Sequence, residues 1–173
     1  MQTEAGIDTG DMLISAECKI EEDDTYGTLT EKLSVLGAEL CEQALDLIES
    51  GKAKFVKQDE TKATHTKMIK KENTIINFNN TAKEIVNLVR GLNPNPVAVF
   101  YINGESFKVW QAKAVEYNGT EENGTILFAN AKKGFVVKCE GGAVEIVEMT
   151  APNSKKMLSK AYLNGKQINA CKI

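Results

Sequence analysis

From Pro94 onward the chain is interrupted by turn residues so often that only short extended runs fit between them. Asn93-Pro94-Asn95-Pro96 opens this stretch, and each proline disfavours helix at the residue before it. Residues 97–102 and 105–115 then flank Asn103-Gly104, a dipeptide that is among the strongest short signals for a hairpin. Runs 124–130, 134–139 and 143–149 follow, bounded by Lys132-Lys133 and Gly141-Gly142. Five short strands at this spacing, with a helical turn near 159–163, predict a small β-barrel.

The first half reads differently. Residues 12–20 alternate well enough for a strand that offers Leu13, Ile14 and Ile20 for burial. Residues 21–24 are an acidic turn, expected as a solvated face. Thr28-Leu29-Thr30-Glu31 has the form of a capping box, and Leu29, Leu33, Leu36, Leu40, Leu47 and Ile48 follow at helical spacing up to Gly51. This predicts a helix over 28–50, then a short strand at 52–57. Residues 58–79 have no clear period and read as a charged linker. Thr81 and Glu84 form a second capping box, which starts a helix in 80–91 with Ile85, Val86, Leu88 and Val89 on its apolar side. The expected organisation is α+β in three parts: 1–57, a linker at 58–79, and 80–173.

Composition adds a bias in charge. Residues 1–50 hold 13 acids and two lysines, a net of −11, whereas the remainder sums to +8. After Glu148 there are five lysines and no acid. Such asymmetry suits a polyanion-binding half, although a lysine-rich surface also serves solubility alone. No apolar run is long enough for a membrane span, and the amino-terminal residues lack a basic leader and apolar core, so neither membrane insertion nor export is expected. Cys18, Cys41, Cys139 and Cys171 are scattered with no CxxC pair, which argues against structural zinc and a disulfide framework. Cys18 and Cys41 are expected as reduced core thiols, Trp110 as a core residue, Asp11 as a turn residue and His65 as a surface residue.

Gly6-Ile7-Asp8-Thr9-Gly10-Asp11-Met12-Leu13 resembles the signature of folate-dependent formyltransferases. Further colinear matches are Gln58-Asp59-Glu60-x-x-Ala63-Thr64, Ile69-x-Lys71-Glu72, Ile76-Asn77-Phe78, Val89-Arg90-Gly91-Leu92-Asn93-Pro94-x-Pro96 and Lys108-Val109-Trp110-x-Ala112. Ser154-Lys155-Lys156 and Tyr162-Leu163-x-Gly165 complete the order. Together they resemble the methionyl-tRNA formyltransferases. The resemblance implies a piece of a Rossmann-like α/β domain at 1–57 followed by a five-stranded OB-like barrel. It implies formyl transfer from 10-formyltetrahydrofolate to methionyl initiator tRNA, in the cytoplasm, with Asp8 as a catalytic aspartate. The barrel side would bind tRNA, with Lys67, Lys70, Lys71, Arg90, Lys155 and Lys156 as candidate contacts. A single arginine favours backbone and shape contacts over bidentate reading of bases. DNA and membrane partners are not expected.

Three departures qualify the resemblance. The family's Asn-x-His-Pro-Ser segment has no counterpart here, so the chain by itself is expected to be inactive. Asn95 stands where the family has a tryptophan between the prolines, and Asn77-Phe78 stands for Asp-Trp. Residues 1–57 would also lack strands to pack on, and are expected to be frayed or self-associated. Two alternatives stay open: a stand-alone RNA-binding barrel, and part of a sugar-nucleotide formyltransferase.

Overall fold

A computed structural model describes all 173 residues, which divide into two compact units, Met1–Met68 and Ile69–Ile173. In the first unit one helix, α1 (Tyr26–Glu49), is the only element longer than a turn. It starts three residues earlier than the capping pattern suggested. Thr25 is the N-cap: the Thr28 amide donates to its Oγ1 at 3.2 Å, and its own amide donates to Thr28 Oγ1 at 2.9 Å. The Thr28 hydroxyl also donates to the Asp24 carboxylate at 3.0 Å, which fixes Thr28 inside the first turn and leaves Glu31 out of the box.

Asp24 corrects the expectation of a solvated acidic run. It is 6% exposed and paired with Lys32 at 2.7 Å. The hydrogen bond from Lys32, and then the one from the Glu21 amide, lower its carboxyl from the ordinary 3.8 to about 2. A depressed carboxylate stabilises the fold above its ordinary value and loses that contribution as pH falls through the folded value. An NMR titration should therefore find Asp24 near 2, with the start of α1 loosening between about pH 4 and 2. Lys32→Met should return Asp24 toward the ordinary range. Titration at the ordinary value in the unaltered chain would mean that the ion pair is not formed.

The two strands expected at 12–20 and 52–57 reduce to one bridge, Met12 opposite Val56, with both N–H···O distances 2.8 Å. Two short extended segments with no third strand cannot sustain a sheet. Helix α1 correspondingly has no buried residue, and Leu33, Val35, Leu45 and Ile48 are exposed. Cys41 is exposed and Cys18 only half-buried, so neither is a core thiol; Cys139 is. Leu29, Leu36, Leu40 and Leu47 are half-buried, so the apolar side of α1 is covered only in part, and only Gly10 and Asp24 of that unit are buried.

The second unit is a mixed fold of helices and antiparallel sheet. Helix α2 (Ala82–Gly91) has the expected capping box: the Glu84 amide donates to Thr81 Oγ1, and the Thr81 amide donates to the Glu84 carboxylate at 2.8 Å. Strands β1 (Ala98–Ile102), β2 (Glu105–Val115), β3 (Ile126–Asn130), β4 (Gly134–Cys139) and β5 (Gly142–Thr150) pair antiparallel in the order β1-β2-β5-β4-β3. A two-residue strand, β6 (Met157–Leu158), adds to β5, and α3 (Ser159–Gly165) follows it. Asn103 and Gly104 make the β1–β2 turn with φ of 51° and 82°, the paired positive values of a primed hairpin turn.

The sheet does not close as a barrel would. Strands β1 and β3 end the hydrogen-bonded path. Each edge is covered by another stretch of the chain. The Ile76 amide donates to the Val99 carbonyl at 2.8 Å along β1. At the other edge the Ile126 amide donates to the Cys171 carbonyl at 2.8 Å, and the Ile173 amide to the Gly124 carbonyl at 2.9 Å. Covering an edge gives its backbone groups partners, as closure would. The core lies under the sheet: Phe100, Val109, Phe135, Val137, Val144, Ile146 and Met149 are buried, with Ile85 and Val89 of α2 packed against them.

Candidate nucleic-acid interface

In the first unit the signature loop is held by one amide side chain. Gln58 Nε2 donates to the carbonyl oxygens of Asp8 at 2.8 Å and Gly10 at 2.7 Å. Gly10 has no room for a side chain, since a Cβ there would lie 1.8 Å from the Gln2 carbonyl oxygen. Asp8 has a φ of 56° and is exposed. It lines a cavity of about 830 Å³ together with Gln58 and His65. No hydrogen bond joins Asp8 to His65. An exposed carboxylate without a partner can accept a proton or order a water, but it is not set up as an acid–base pair.

In the second unit the outer face of β1, β2 and β5 carries aromatic groups together with charges of both signs, Lys108 and Lys156 among the cations and Glu148 among the acids. Strand alternation decides which residues stand there. Phe100, Ile102, Phe107 and Val109 point inward and are buried, so Val99, Tyr101, Ser106, Lys108 and Trp110 take the opposite face. This is why Trp110 is half-buried and not the core residue expected: Val109 already occupies the inward position beside it. Its indole Nε1 donates to Thr150 Oγ1 at 2.9 Å. Lys156 Nζ sits 4.7 Å above the indole ring and 2.9 Å from the Glu148 carboxylate. The ammonium is therefore held in place from two sides.

Of the cations nominated by sequence, Lys70 and Lys71 line a cavity of about 570 Å³ against β1 and β2. Lys155 is exposed beside Lys156. Arg90 is half-buried near the end of α2, where its Nε donates to Asn87 Oδ1 at 2.9 Å. Lys67 falls in the first unit and the other five in the second. Sequence reasoning missed Tyr101 as a contact; it and Lys108, one of the lysines of the expected barrel, line the same cavity as Lys70 and Lys71. The signal was present, since both alternate with the inward phenylalanines; what the sequence could not supply was their meeting with residues 70–71.

Residues 68–167 match a family model described as the formyl transferase C-terminal domain. Among curated proteins, the chain is 39% identical over 165 residues to a methionyl-tRNA formyltransferase of Agathobacter rectalis, covering 95% of this chain and 53% of that protein. It is 40% identical over 169 residues to one of Acetivibrio thermocellus, covering 97% and 54%. The chain thus spans about half the length of these relatives. Among solved structures, HypX from Aquifex aeolicus superposes with a TM-score of 0.67 at 18% identity, over 94% of this chain and 30% of that one. An N-formyltransferase from Helicobacter canadensis, crystallised with folinic acid and dTDP-3-aminofucose, gives 0.59 at 20% identity, over 88% and 52%. These low-identity likenesses speak for the fold alone.

Proposed function

The chain belongs to the formyl transferase C-terminal domain family, and from that membership we propose that it is the tRNA-binding portion of a methionyl-tRNA formyltransferase. The single observation that carries this reading is the meeting of Lys70, Lys71 and Lys108 around one cavity on β1 and β2, on a chain whose relatives at 39–40% identity are methionyl-tRNA formyltransferases. We read Ile69–Ile173 as an incompletely closed OB-like unit that contacts phosphates through Lys70, Lys71, Lys155 and Lys156. Lys67 and Arg90 are further candidate contacts in this reading. The three-part division at 57/58 and 79/80 is retained as the functional one, with residues 1–57 a piece of a Rossmann-like domain.

The whole reaction would move a formyl group from 10-formyltetrahydrofolate to the amino group of methionyl initiator tRNA in the cytoplasm. In it Asp8 would stand beside the reacting amine, where a carboxylate can favour a protonated neighbour and order a water. The residues present do not fit a folate by themselves. Met1–Met68 buries only Gly10 and Asp24, so no enclosed donor set grips a pterin ring. We therefore take the chain alone to be inactive. The exposed Leu33, Val35, Leu45 and Ile48 support self-association through the first unit.

The test is binding of initiator tRNA across a salt series. Log affinity should fall linearly with log salt, because lysines displace condensed counterions. Charge reversal of Lys70, Lys71, Lys155 and Lys156 together should weaken binding at least tenfold at low salt, with a shallower slope. Affinity that is unchanged at high salt would exclude phosphate contacts as its source.

A further inference from the structure

We propose that the cavity between Lys70-Lys71 and the outer face of β1–β2 is a site for one unpaired nucleotide of the bound RNA, with Tyr101 as the surface on which its base stacks. The proposal rests on the RNA-binding reading above and narrows it from a charged face to a defined pocket.

The cavity has the size and the walls for this ligand. Its volume of about 570 Å³ lies within the range of roughly 300–1,000 Å³ usual for small-molecule sites. Three of its lining residues are lysines, Lys70, Lys71 and Lys108, and none is acidic. Val99 and Tyr101 supply an apolar and an aromatic wall, and Ser106 a hydroxyl. Cross-strand register pairs Val99 with Lys108 and Tyr101 with Ser106, so the apolar and the polar groups stand side by side on one face of two strands. A planar base against the ring and a phosphate among ammonium groups would use both halves of that lining.

The ligand must be unpaired. A base inside a duplex has its faces stacked and its edges turned inward, so it cannot reach a ring on a strand. Stacking of this kind is tolerant of sequence, because every base has a π-face. The surroundings favour a strand passing through over an isolated nucleotide. Tyr101 also lines a second cavity, of about 380 Å³, with Asn77, Asn79 and Lys172 among its walls. A neighbouring nucleotide could therefore continue past the same side chain onto amide groups that suit base edges.

Tyr101 is 38% exposed, on the face opposite the core, so replacing it leaves folding intact. The experiment compares the unaltered chain with Tyr101→Ala, Tyr101→Phe and Lys108→Ala. Each is titrated with a single-stranded oligoadenylate and with initiator tRNA over a salt series, and thermal melting checks the fold. Tyr101→Ala should weaken oligoadenylate binding roughly tenfold without changing the salt slope, since it removes stacking and no charge. Tyr101→Phe should bind like the unaltered chain. Lys108→Ala should reduce the slope by about 0.7, one phosphate's share on a single strand. Equal binding by Tyr101→Ala and the unaltered chain, with tRNA affinity still dependent on salt, overturns the nucleotide site and leaves the phosphate reading standing. Equal loss in the Ala and Phe variants overturns stacking as the cause. Absence of binding to both RNAs overturns the site and the RNA-binding reading together.

Discussion

In hydrogen exchange on the 173-residue chain, amides of β4 and β5 should be protected at least roughly a thousandfold to ten-thousandfold, which is the lower end of what a stable domain provides. Amides of α1 should be protected on the order of a hundredfold at most. The contrast follows from burial. Every residue of β4 is buried, and Val144, Ile146 and Met149 of β5 are wholly inaccessible. Helix α1 buries no residue over 24 positions. A helix gains most of its stability from packing an apolar stripe, and here that stripe is covered only in part: Leu29, Leu36, Leu40 and Leu47 are half-buried, and Leu33 and Ile48 are exposed. The reciprocal cap of Thr25 and Thr28 and the Asp24–Lys32 pair hold the first two turns only. Equal high protection in α1 and in β4 would require a cover for that stripe, such as a second copy, and a concentration series would reveal it.

Phe100→Ala should cost about 3–5 kcal/mol, the usual range for removing a buried phenylalanine ring. Phe100 is 1% exposed and central to an aromatic cluster. It stacks on Phe107 with centroids 5.2 Å apart, and meets Phe78 and Phe135 edge-on at 6.1 and 5.7 Å. A domain of this size has on the order of 5–15 kcal/mol to lose, so the variant should melt roughly 15–30 °C lower. Tyr101→Ala, one residue along and on the outer face, should stay within about 0.5 kcal/mol of the unaltered chain. Similar melting of the two variants would contradict the assignment of faces on β1, and with it the placement of Tyr101 at the cavity.

Elements set by residues close together in the chain were legible from the amino-acid sequence alone. Asn103-Gly104 specifies a tight hairpin because both positions must take positive φ, and strand β2 runs from Glu105 to Val115 as expected. The Thr81–Glu84 cap and strand β4 at Gly134–Cys139 likewise depend on residues within a few positions of each other. The colinear motifs carried the family in the same way. Asp8, Lys67, Lys70, Lys71, Arg90, Lys155 and Lys156 could be nominated from them and from the distribution of lysines, but not arranged.

What only the tertiary structure decided involves groups far apart in the chain. Residues 75–76 and 171–173 cover the two ends of the sheet, so it is satisfied without closing, and no periodicity announces which distant segment will take an edge. Trp110 was expected inside because it is large and apolar; the inward neighbours Phe107 and Val109 place it outside, under Lys156. Asp24 looked solvated until Lys32, two helical turns on, folded back over it. Lys70 and Lys71 meet Tyr101 and Lys108 only because the segment after Ile69 runs along β1. Local conformation is governed by φ and ψ preferences and nearby hydrogen bonds, which a short stretch of sequence contains. The pocket is made by long-range packing, whose partners are selected by competition among all the apolar faces and unpaired edges of the chain.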